Sequence, residues 1–555
     1  MACALLAVST VIPVRPRWFG CASALVLGVS MLGACQEPSL VAVSLEPPPH
    51  DDCLVRDDSP SAFRHSCIGF SLQSEVDVVF VIDDTASMGV VQARLARAMD
   101  AMIESVALDN RDVDLRIGFV SVNSGDHACG GGSDGFAPIT SCRERPEDFV
   151  TPDGIDLFDE LCADVCPLDE LAVEPTVLWA GEEAEARPWL EIVPGFDNLP
   201  DGVDLVDALR CMAPRGVSGC GYPELLETVD HTVVRAQYED YDGFGFFRRG
   251  AGTVFVLVTD AVDCSLAQRG QALLDPDGFR TFWSDREADS ATPAVCWNAG
   301  VRCSPEDGPT YEDCRSAHFN VLGQEVEPGE GLMTAVSEHF ERLGHHIAQM
   351  QRIRPDVEPL VLTIAGVPET GELVYADAED PAFGLEYGIG PGCESPGVSA
   401  RPPVRLREFT EGITGGELMS VCAEDLSPAM QRIAEAIGEQ IVPACMPTCI
   451  GDSEPDVDGM QVDCRVSREA PNAEGAFETS VVARCEGEDG APVIPADEEL
   501  CWYPKTGDAM SPQCRDFGWN LEFGILQAGR RRQYEYFRPT CMLSEDWEQD
   551  CPDLP

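Results

Sequence analysis

Four short, nearly continuous apolar runs recur along the first 444 residues of the chain. They span residues 76–82, 115–120, 253–258 and 360–364. Consecutive apolar residues, in place of strict alternation, are typical of strands that are buried on both faces of a parallel sheet. A chain of 555 residues is long enough to place such a sheet beside roughly one to three further domains.

Patterns typical of helices separate these runs. Apolar residues recur at helical spacing over residues 91–106 and again over residues 332–350. A later helix is predicted with Ser427 as its N-cap and Pro428 at its first helical position. Strands that alternate with helices in this way predict an α/β fold with a doubly wound, mostly parallel sheet flanked by helices.

Two long insertions near 123–221 and 264–330 interrupt the alternation, and both are rich in Cys, Gly, Asp and Pro. Loops of this length without secondary structure are uncommon in compact domains. Disulfide bonds between their cysteines would explain how they stay folded. The 25 cysteines do not fall into repeated zinc-ribbon spacings. We therefore expect disulfides and an oxidising compartment.

The last part of the chain, residues 445–555, has eight cysteines and little helical periodicity. Leu521, Phe523 and Ile525 alternate with other residues, which is typical of a strand. We predict a small, disulfide-rich β module there, after an α/β domain over residues 74–444. The cysteine counts of the two regions are both even, 12 and 8, which favours this boundary.

Residues 1–34 have the features of a signal peptide. Arg15 and Arg17 precede an apolar run over residues 18–32, and small residues follow it. The run is too short for a transmembrane span.

The run ends in Leu-Gly-Ala-Cys, which resembles the bacterial lipobox and implies that Cys35 is lipidated. An ordinary signal peptide cleaved nearby is the alternative. Residues 35–73 are rich in Pro and Asp and are predicted to be an extended tether. Gln36, in place of an Asp, implies the outer membrane under the sorting rule of bacterial lipoproteins.

The charge of the chain excludes some partners. Acidic residues number 97 against 37 basic residues, for a formal net charge of -60. Because binding to phosphates needs a basic surface, we expect no nucleic-acid partner and no docking on anionic lipid through a basic patch.

Oxygen-bearing side chains follow two of the predicted strands. Asp83, Thr85 and Ser87 come directly after the first run, and Asp260 follows the third. Ligand sites in open α/β sheets lie at the carboxyl ends of strands, and a hard cation prefers oxygen ligands. The sequence therefore predicts a divalent cation site, with an N-cap cluster as the alternative interpretation of residues 83–87.

This pattern resembles the von Willebrand factor A (VWA) domain, whose metal-ion-dependent adhesion site has D-x-S-x-S after the first strand and an Asp after a central strand. Asp83, Thr85 and Ser87 match the first motif with Thr in place of the first Ser. Asp260 matches the last motif, with Ala261 where Gly is common.

The family also has a Thr in a middle loop, for which Ser218 is the candidate here. Thr228 and Thr232 would lie inside the following helix. The resemblance covers residues 74–444, insertions included. With the predicted lipobox and the cysteine-rich motifs, the chain is further similar to cysteine-rich VWA lipoproteins of predatory and gliding bacteria.

The resemblance implies a cation, Mg²⁺ first with Ca²⁺ or Mn²⁺ as alternatives, that has Thr85 and Ser87 as direct ligands. Asp83 and Asp260 would bind the ion or orient water on it. Hydroxyl ligands leave the ion poorly neutralised, so an Asp or Glu carboxylate of a protein partner would complete its coordination. The implied function is adhesion or protein binding without catalysis.

Three further acidic residues are candidates for an additional site. Asp263 either adds charge near Asp260 or caps a turn. Asp456 and Asp458 partly resemble a calcium loop, but Arg465 stands where an EF-hand needs Glu, which favours a solvated acidic turn.

Two other functions stay open at this stage. One is a secreted or envelope hydrolase with its activity in the cysteine-rich insertions, for which the sequence has no clear nucleophile and base. The other is a structural envelope component with a decayed metal site. His339, His345 and His346 lie on one predicted helix without an H-E-x-x-H motif, which favours a mixed surface and boundary role.

Overall fold

The computed structural model of the protein describes most of the chain after the predicted leader and tether. The described residues are 65–67, 75–109, 113–122, 135–178, 183–193, 196–248, 251–305, 309–350, 358–441, 443–457, 459–471, 477–487, 492–527, 536–544 and 546–552. The predicted signal peptide, the lipidation residue Cys35 and most of the predicted tether lie outside them.

The strands are numbered in chain order. They are β1 (His65–Cys67), β2 (Glu75–Ile82), β3 (Asp114–Ser121), β4 (Trp189–Val193), β5 (Phe196–Asp197), β6 (Gly252–Val258), β7 (Val301–Ser304), β8 (Asp313–Ser316), β9 (Leu360–Ala365), β10 (Cys393–Ser395), β11 (Val398–Ala400), β12 (Glu417–Ser420), β13 (Ala444–Cys445), β14 (Cys464–Pro471), β15 (Phe477–Arg484), β16 (Leu500–Lys505), β17 (Glu522–Gln527) and β18 (Tyr536–Met542).

The helices are numbered in the same way. They are α1 (Gly89–Arg97), α2 (Met99–Asp109), α3 (Leu205–Met212), α4 (Leu225–Arg235), α5 (Ala294–Gly300), α6 (Val336–Met350), α7 (Pro381–Tyr387), α8 (Val404–Glu411), α9 (Ser427–Gln440), α10 (Pro512–Asp516) and α11 (Trp547–Asp550). Short 3₁₀ or π turns include Ala86–Met88, Cys142–Glu144, Pro146–Phe149, Asp159–Ala163, Gln268–Leu273 and Gly507–Ala509.

One sheet organises the first part of the chain, in the strand order β12-β9-β6-β2-β3-β4-β5. The five strands from β12 to β3 are parallel to their neighbours, whereas β4 and β5 are antiparallel. All four predicted apolar runs are among the parallel strands. The predicted α/β fold with a mostly parallel sheet is therefore confirmed.

Both faces of this sheet are covered. Val78 and Phe80 of β2 belong to a core with α1, α2, α3 and α9. Val79 and Val81 belong to a second core with α4, α6 and α8. Because successive side chains of a strand point to opposite faces, two helical layers explain why the run is apolar at every position from Val78 to Ile82.

Two helix predictions need correction. The helix predicted over 91–106 is two helices, which meet at Ala98, whose N–H is shared between two carbonyls of α1. Ser427 is the first residue of α9 and not its N-cap. Its N–H is bonded instead to the carboxylate of Asp425, at 2.9 Å.

The insertions contain more regular structure than the sequence predicts. Strands β4 and β5 lie within 123–221 and extend the main sheet, where Leu190 pairs with Ile117 of β3. The insertion at 264–330 has its own apolar core, which includes Trp283 and Trp297. The sequence did not predict strands β4 and β5, because they have only five and two residues.

Disulfides staple the insertions as predicted. The pairs in the α/β domain include Cys142–Cys162, Cys166–Cys211, Cys264–Cys296, Cys303–Cys314 and Cys393–Cys422. Cys129 lies outside the described residues. A cross-link of this kind limits the freedom of the unfolded chain and so favours the folded insertion.

The C-terminal region forms a second sheet, in the order β1-β18-β14-β15-β16-β17-β13. Its disulfides are Cys445–Cys514, Cys449–Cys551, Cys464–Cys541 and Cys485–Cys501. Strand β1, which belongs to the predicted tether, pairs with β18 at the edge of this sheet. None of the helices in the described part of the chain has the length and apolar character that a bilayer crossing requires.

Candidate metal centre

The register of the central strands places the predicted site residues at one edge of the main sheet. Ile82 of β2 is opposite Val258 of β6, so both strands end at the same level. The next residue of β2 continues the pairing, since the N–H of Asp83 is bonded to the Val258 carbonyl at 3.0 Å. Asp83 and Asp260 are both completely buried.

A tight turn follows Asp83. Its Oδ1 accepts a hydrogen bond from the N–H of Thr85 at 2.9 Å. This is an Asx-turn, in which an Asp side chain bonds to the backbone two residues further along the chain. The N–H of Met88 then bonds to the Thr85 carbonyl at 3.0 Å and starts the short helical turn that leads into α1. Asp83 therefore shapes the loop that presents Thr85 and Ser87.

The two predicted motifs are joined by direct hydrogen bonds. The hydroxyl of Ser87 donates to Asp260 Oδ1 at 3.0 Å. The hydroxyl of Thr259 donates to Asp83 Oδ2 at 2.5 Å. The two motifs thus come together, although Ser87 and Asp260 are 173 residues apart in the chain.

Two oxygens of this cluster have no hydrogen-bond partner among the described residues, although both are buried. They are Thr85 Oγ1 and Asp260 Oδ2. Buried polar atoms nearly always have a hydrogen-bond partner. Two such atoms without one in the same cluster therefore point to a bound ligand. The N-cap alternative is also disfavoured, because no side-chain bond from Thr85 caps the helical turn after it.

The electrostatics of the cluster favour a cation. Burial, followed by the negative charge of Asp260, raises the pKa of Asp83 to about 6, against the opposing hydrogen bonds from Thr259 and Thr85. Two buried carboxylates resist ionising together unless positive charge is close to them. Since all four side chains offer oxygen, they fit Mg²⁺, Ca²⁺ or Mn²⁺.

An arginine that the sequence analysis missed already contacts this cluster. Arg401 donates from Nη2 to Asp260 Oδ1 at 2.9 Å and from its backbone N–H to the Asp260 carbonyl, also at 2.9 Å. Its guanidinium lies 4.4 Å from the ring centre of Tyr387. No local signal marks Arg401, because it follows β11, 141 residues after Asp260.

A disulfide-linked hairpin fixes the position of Arg401. Strands β10 and β11 form this hairpin, and Cys393–Cys422 joins it to the segment after β12. Arg94 of α1 bonds to Ser395 Oγ at 2.9 Å. The hairpin thus packs beside the helix that begins at the candidate site.

Ser218, the candidate for the middle motif, is exposed. Its loop nevertheless adjoins the site, because the N–H of Gly219 bonds to the Asp84 carbonyl at 2.9 Å. A Cβ on Gly219 would lie only 2.2 Å from Asp84 Oδ1. The approach of the two loops therefore depends on glycine at this position.

The additional acidic residues lie elsewhere in the structure. Asp263 is buried, accepts from Arg405 Nε at 2.9 Å, and also accepts the N–H of Leu226 near the start of α4 at 3.1 Å. Its carboxylate thus holds the beginning of that helix. Asp456 is exposed, and Asp458 lies outside the described residues.

Two of the three comparisons with known proteins found no match. No family model matches the chain. No curated protein matches it either.

Similar solved structures include the pilus adhesin SpaC from Lactobacillus rhamnosus GG, at 8% identity and a TM-score of 0.25, with 92% of this chain and 45% of that chain covered. A structure of SpaC in an open conformation has the same identity and TM-score and covers 84% and 38%. The pilus adhesin RrgA from Streptococcus pneumoniae has 9% identity, a TM-score of 0.20, and covers 87% and 58%. This chain therefore spans less than two thirds of each of these chains, and TM-scores this low carry no argument about its fold or function.

Proposed function

We propose that this chain is a cell-envelope protein whose VWA-like domain binds a protein partner through a divalent cation. The observation that carries the proposal is the meeting of two buried carboxylates with two hydroxyls at the carboxyl edge of the sheet. Within that cluster, Thr85 Oγ1 and Asp260 Oδ2 are buried without a hydrogen-bond partner among the described residues.

Thr85 and Ser87 would hold the ion directly, and Asp83 and Asp260 would bind it or orient water on it. When bound, Mg²⁺ would supply uncompensated positive charge toward a carboxylate of the partner. Ser87 is exposed while Thr85 is buried, so the cluster has one side toward solvent. A partner's Asp or Glu has access from that side.

The proposed location rests on two features. Disulfides occur throughout the described chain, which is typical of an extracellular or envelope protein. The lipobox-like sequence that ends in Cys35 supports a lipid anchor, with the outer membrane as the proposed site.

Calorimetry of Mg²⁺, Mn²⁺ and Ca²⁺ binding to the purified protein, with its disulfides formed, tests the proposal. We expect one saturable site that is lost in Asp83→Asn and in Asp260→Asn. Asp456→Asn is the matched control, because it removes one exposed carboxylate far along the chain. Diffuse binding that is the same in all variants would contradict the proposal.

A structural envelope component with a decayed metal site is the second candidate function. The guanidinium of Arg401 favours it, because this group already provides a positive charge 2.9 Å from Asp260. Retained stability and folding without any saturable cation site would support this alternative.

A further inference from the structure

We propose that helices α4 and α6 form a second metal site, which binds Zn²⁺ through Glu227, Asp230 and His339. It is separate from the sheet-edge cluster and does not depend on the proposed function. Its ligands include an imidazole and therefore favour a different class of ion.

The three side chains converge from the two helices. Glu227 and Asp230 are three residues apart on α4, which places them on one face of that helix. His339 lies on α6. One ligand atom from each residue lies within 4.8 Å of the other two. Their exposed fractions are 8%, 2% and 0%, so the group is buried in the helix interface.

One atom of this group points to a ligand. His339 Nδ1 lies 2.6 Å from Asp230 Oδ2, so it is the ring nitrogen that faces the carboxylates. Oδ1 of Asp230 is buried and has no hydrogen-bond partner among the described residues. Because buried polar atoms nearly always have a partner, this oxygen points to an ion.

A second histidine lies beside the group. His231 follows Asp230 on α4, and its Nε2 lies 3.2 Å from Glu227 Oε1. The two carboxylates and the imidazole of His339 suit zinc, which accepts nitrogen and oxygen ligands and can take water in its fourth position. Mg²⁺ and Ca²⁺ prefer oxygen alone. The ligand chemistry therefore selects a transition metal.

Arg342 of α6 covers the group. Its Nη1 lies 3.2 Å from both Glu227 Oε2 and Asp230 Oδ2. The side chain is 41% exposed, so it has room to turn toward solvent. We expect Zn²⁺ to replace this guanidinium as the positive charge on the two carboxylates and to join α4 to α6.

Zinc competition with a chromogenic chelator tests the site in the full chain, purified with its disulfides formed and stripped of metals. The Asp260→Asn variant serves as the background, so that the sheet-edge cluster does not contribute. We expect one tight equivalent of Zn²⁺, weakened at least tenfold by His339→Gln and by Asp230→Asn. Co²⁺ at the same site should give the visible absorption of a tetrahedral ion.

The matched control is His345→Gln, which changes an exposed histidine of the same helix that bonds to Gln349. It should leave Zn²⁺ affinity unchanged. Arg342→Met should raise the affinity several-fold, which tests the site even if the His339 variant does not fold. Equal zinc binding in the His339 and His345 variants, or no tight equivalent in the parent, would overturn the proposal.

Discussion

The sheet-edge cluster and the group between α4 and α6 have the same charge pattern but different ligands. Each has two carboxylates, which are Asp83 and Asp260 in the first and Glu227 and Asp230 in the second. Each also has an arginine, which contacts Asp260 in the first and both carboxylates in the second. The first adds hydroxyls and the second adds an imidazole. Side-chain type, more than charge, therefore decides which ion each group favours.

The two arginines also differ in how firmly they are held. The side chain of Arg401 is 5% exposed and is stacked on Tyr387, and its backbone is bonded to Asp260. The side chain of Arg342 is 41% exposed. A cation that competes with Arg401 must displace a well-packed group, whereas one that competes with Arg342 displaces a surface side chain.

The largest expected effect is that one substitution weakens the binding of Mg²⁺ and not the binding of Zn²⁺. Asp260→Asn should weaken Mg²⁺ binding by about 10- to 100-fold, because it removes charge from a direct or water-mediated ligand. It should leave Zn²⁺ binding within about twofold. Calorimetry with both ions checks this difference, and a parallel loss of both affinities would show that the groups are not independent.

A change of pH should alter Mg²⁺ binding strongly. Since burial and Asp260 raise the pKa of Asp83 to about 6, a proton competes with the ion below that pH. We expect affinity to fall by about tenfold per pH unit below 6 and to level off above 7. An affinity that is constant between pH 5 and pH 7 would argue against Asp83 as part of the site.

The same pKa shift predicts how stability depends on pH without added cations. Folding raises the pKa of Asp83 from 3.8, so the folded state binds the proton more tightly than the unfolded state. The stabilisation from this group is complete below pH 3.8 and is lost as pH rises toward about 6. In the Asp83→Asn variant, the free energy of unfolding should depend less on pH in this range. Denaturant unfolding at several pH values measures it.

Arg401→Met should raise Mg²⁺ affinity by about tenfold, equivalent to about 1.4 kcal/mol, because a competing charge is removed. Without added cations the variant should be less stable, since Asp260 loses its buried ion pair. Calorimetry and thermal unfolding with and without Mg²⁺ measure both effects. An unchanged or weaker affinity would mean that Arg401 assists the cluster and does not compete with the ion.

A further expected effect concerns the stability of the middle loop and not metal binding. Gly219→Ala should destabilise the fold by about 1–3 kcal/mol, because its Cβ would meet Asp84 at 2.2 Å. Gly221→Ala is the matched control, since the nearest atom to its Cβ is 3.8 Å away. Thermal unfolding of both variants should show a loss only for Gly219→Ala.

The sequence predicted the parallel strands and the position of the sheet-edge residues, because both are local patterns. A buried apolar run that ends in Asp, as at Ile82 and Asp83, indicates a strand and its carboxyl end together. Arg401 and Thr259 were missed as members of the site. The position of Arg401 depends on a hairpin far along the chain, and Thr259 resembles any polar residue that ends a strand.

The group between α4 and α6 was missed for a related reason. The helix that contains His339 has no metal-binding motif such as H-E-x-x-H, so its own sequence does not indicate a metal site. Its partners Glu227 and Asp230 lie on another helix, about 110 residues earlier. Only the packing of the two helices brings these ligands together, and the spacing within either helix does not indicate it.

The most direct test of the sheet-edge site is an anomalous difference map from crystals of the protein grown with Mn²⁺. We expect a peak in contact with Thr85 Oγ1 and Asp260 Oδ2, the two buried oxygens that lack a hydrogen-bond partner among the described residues, and a displaced Arg401 guanidinium. A map with Mn²⁺ only at exposed carboxylates, and with Arg401 still bonded to Asp260, would contradict it.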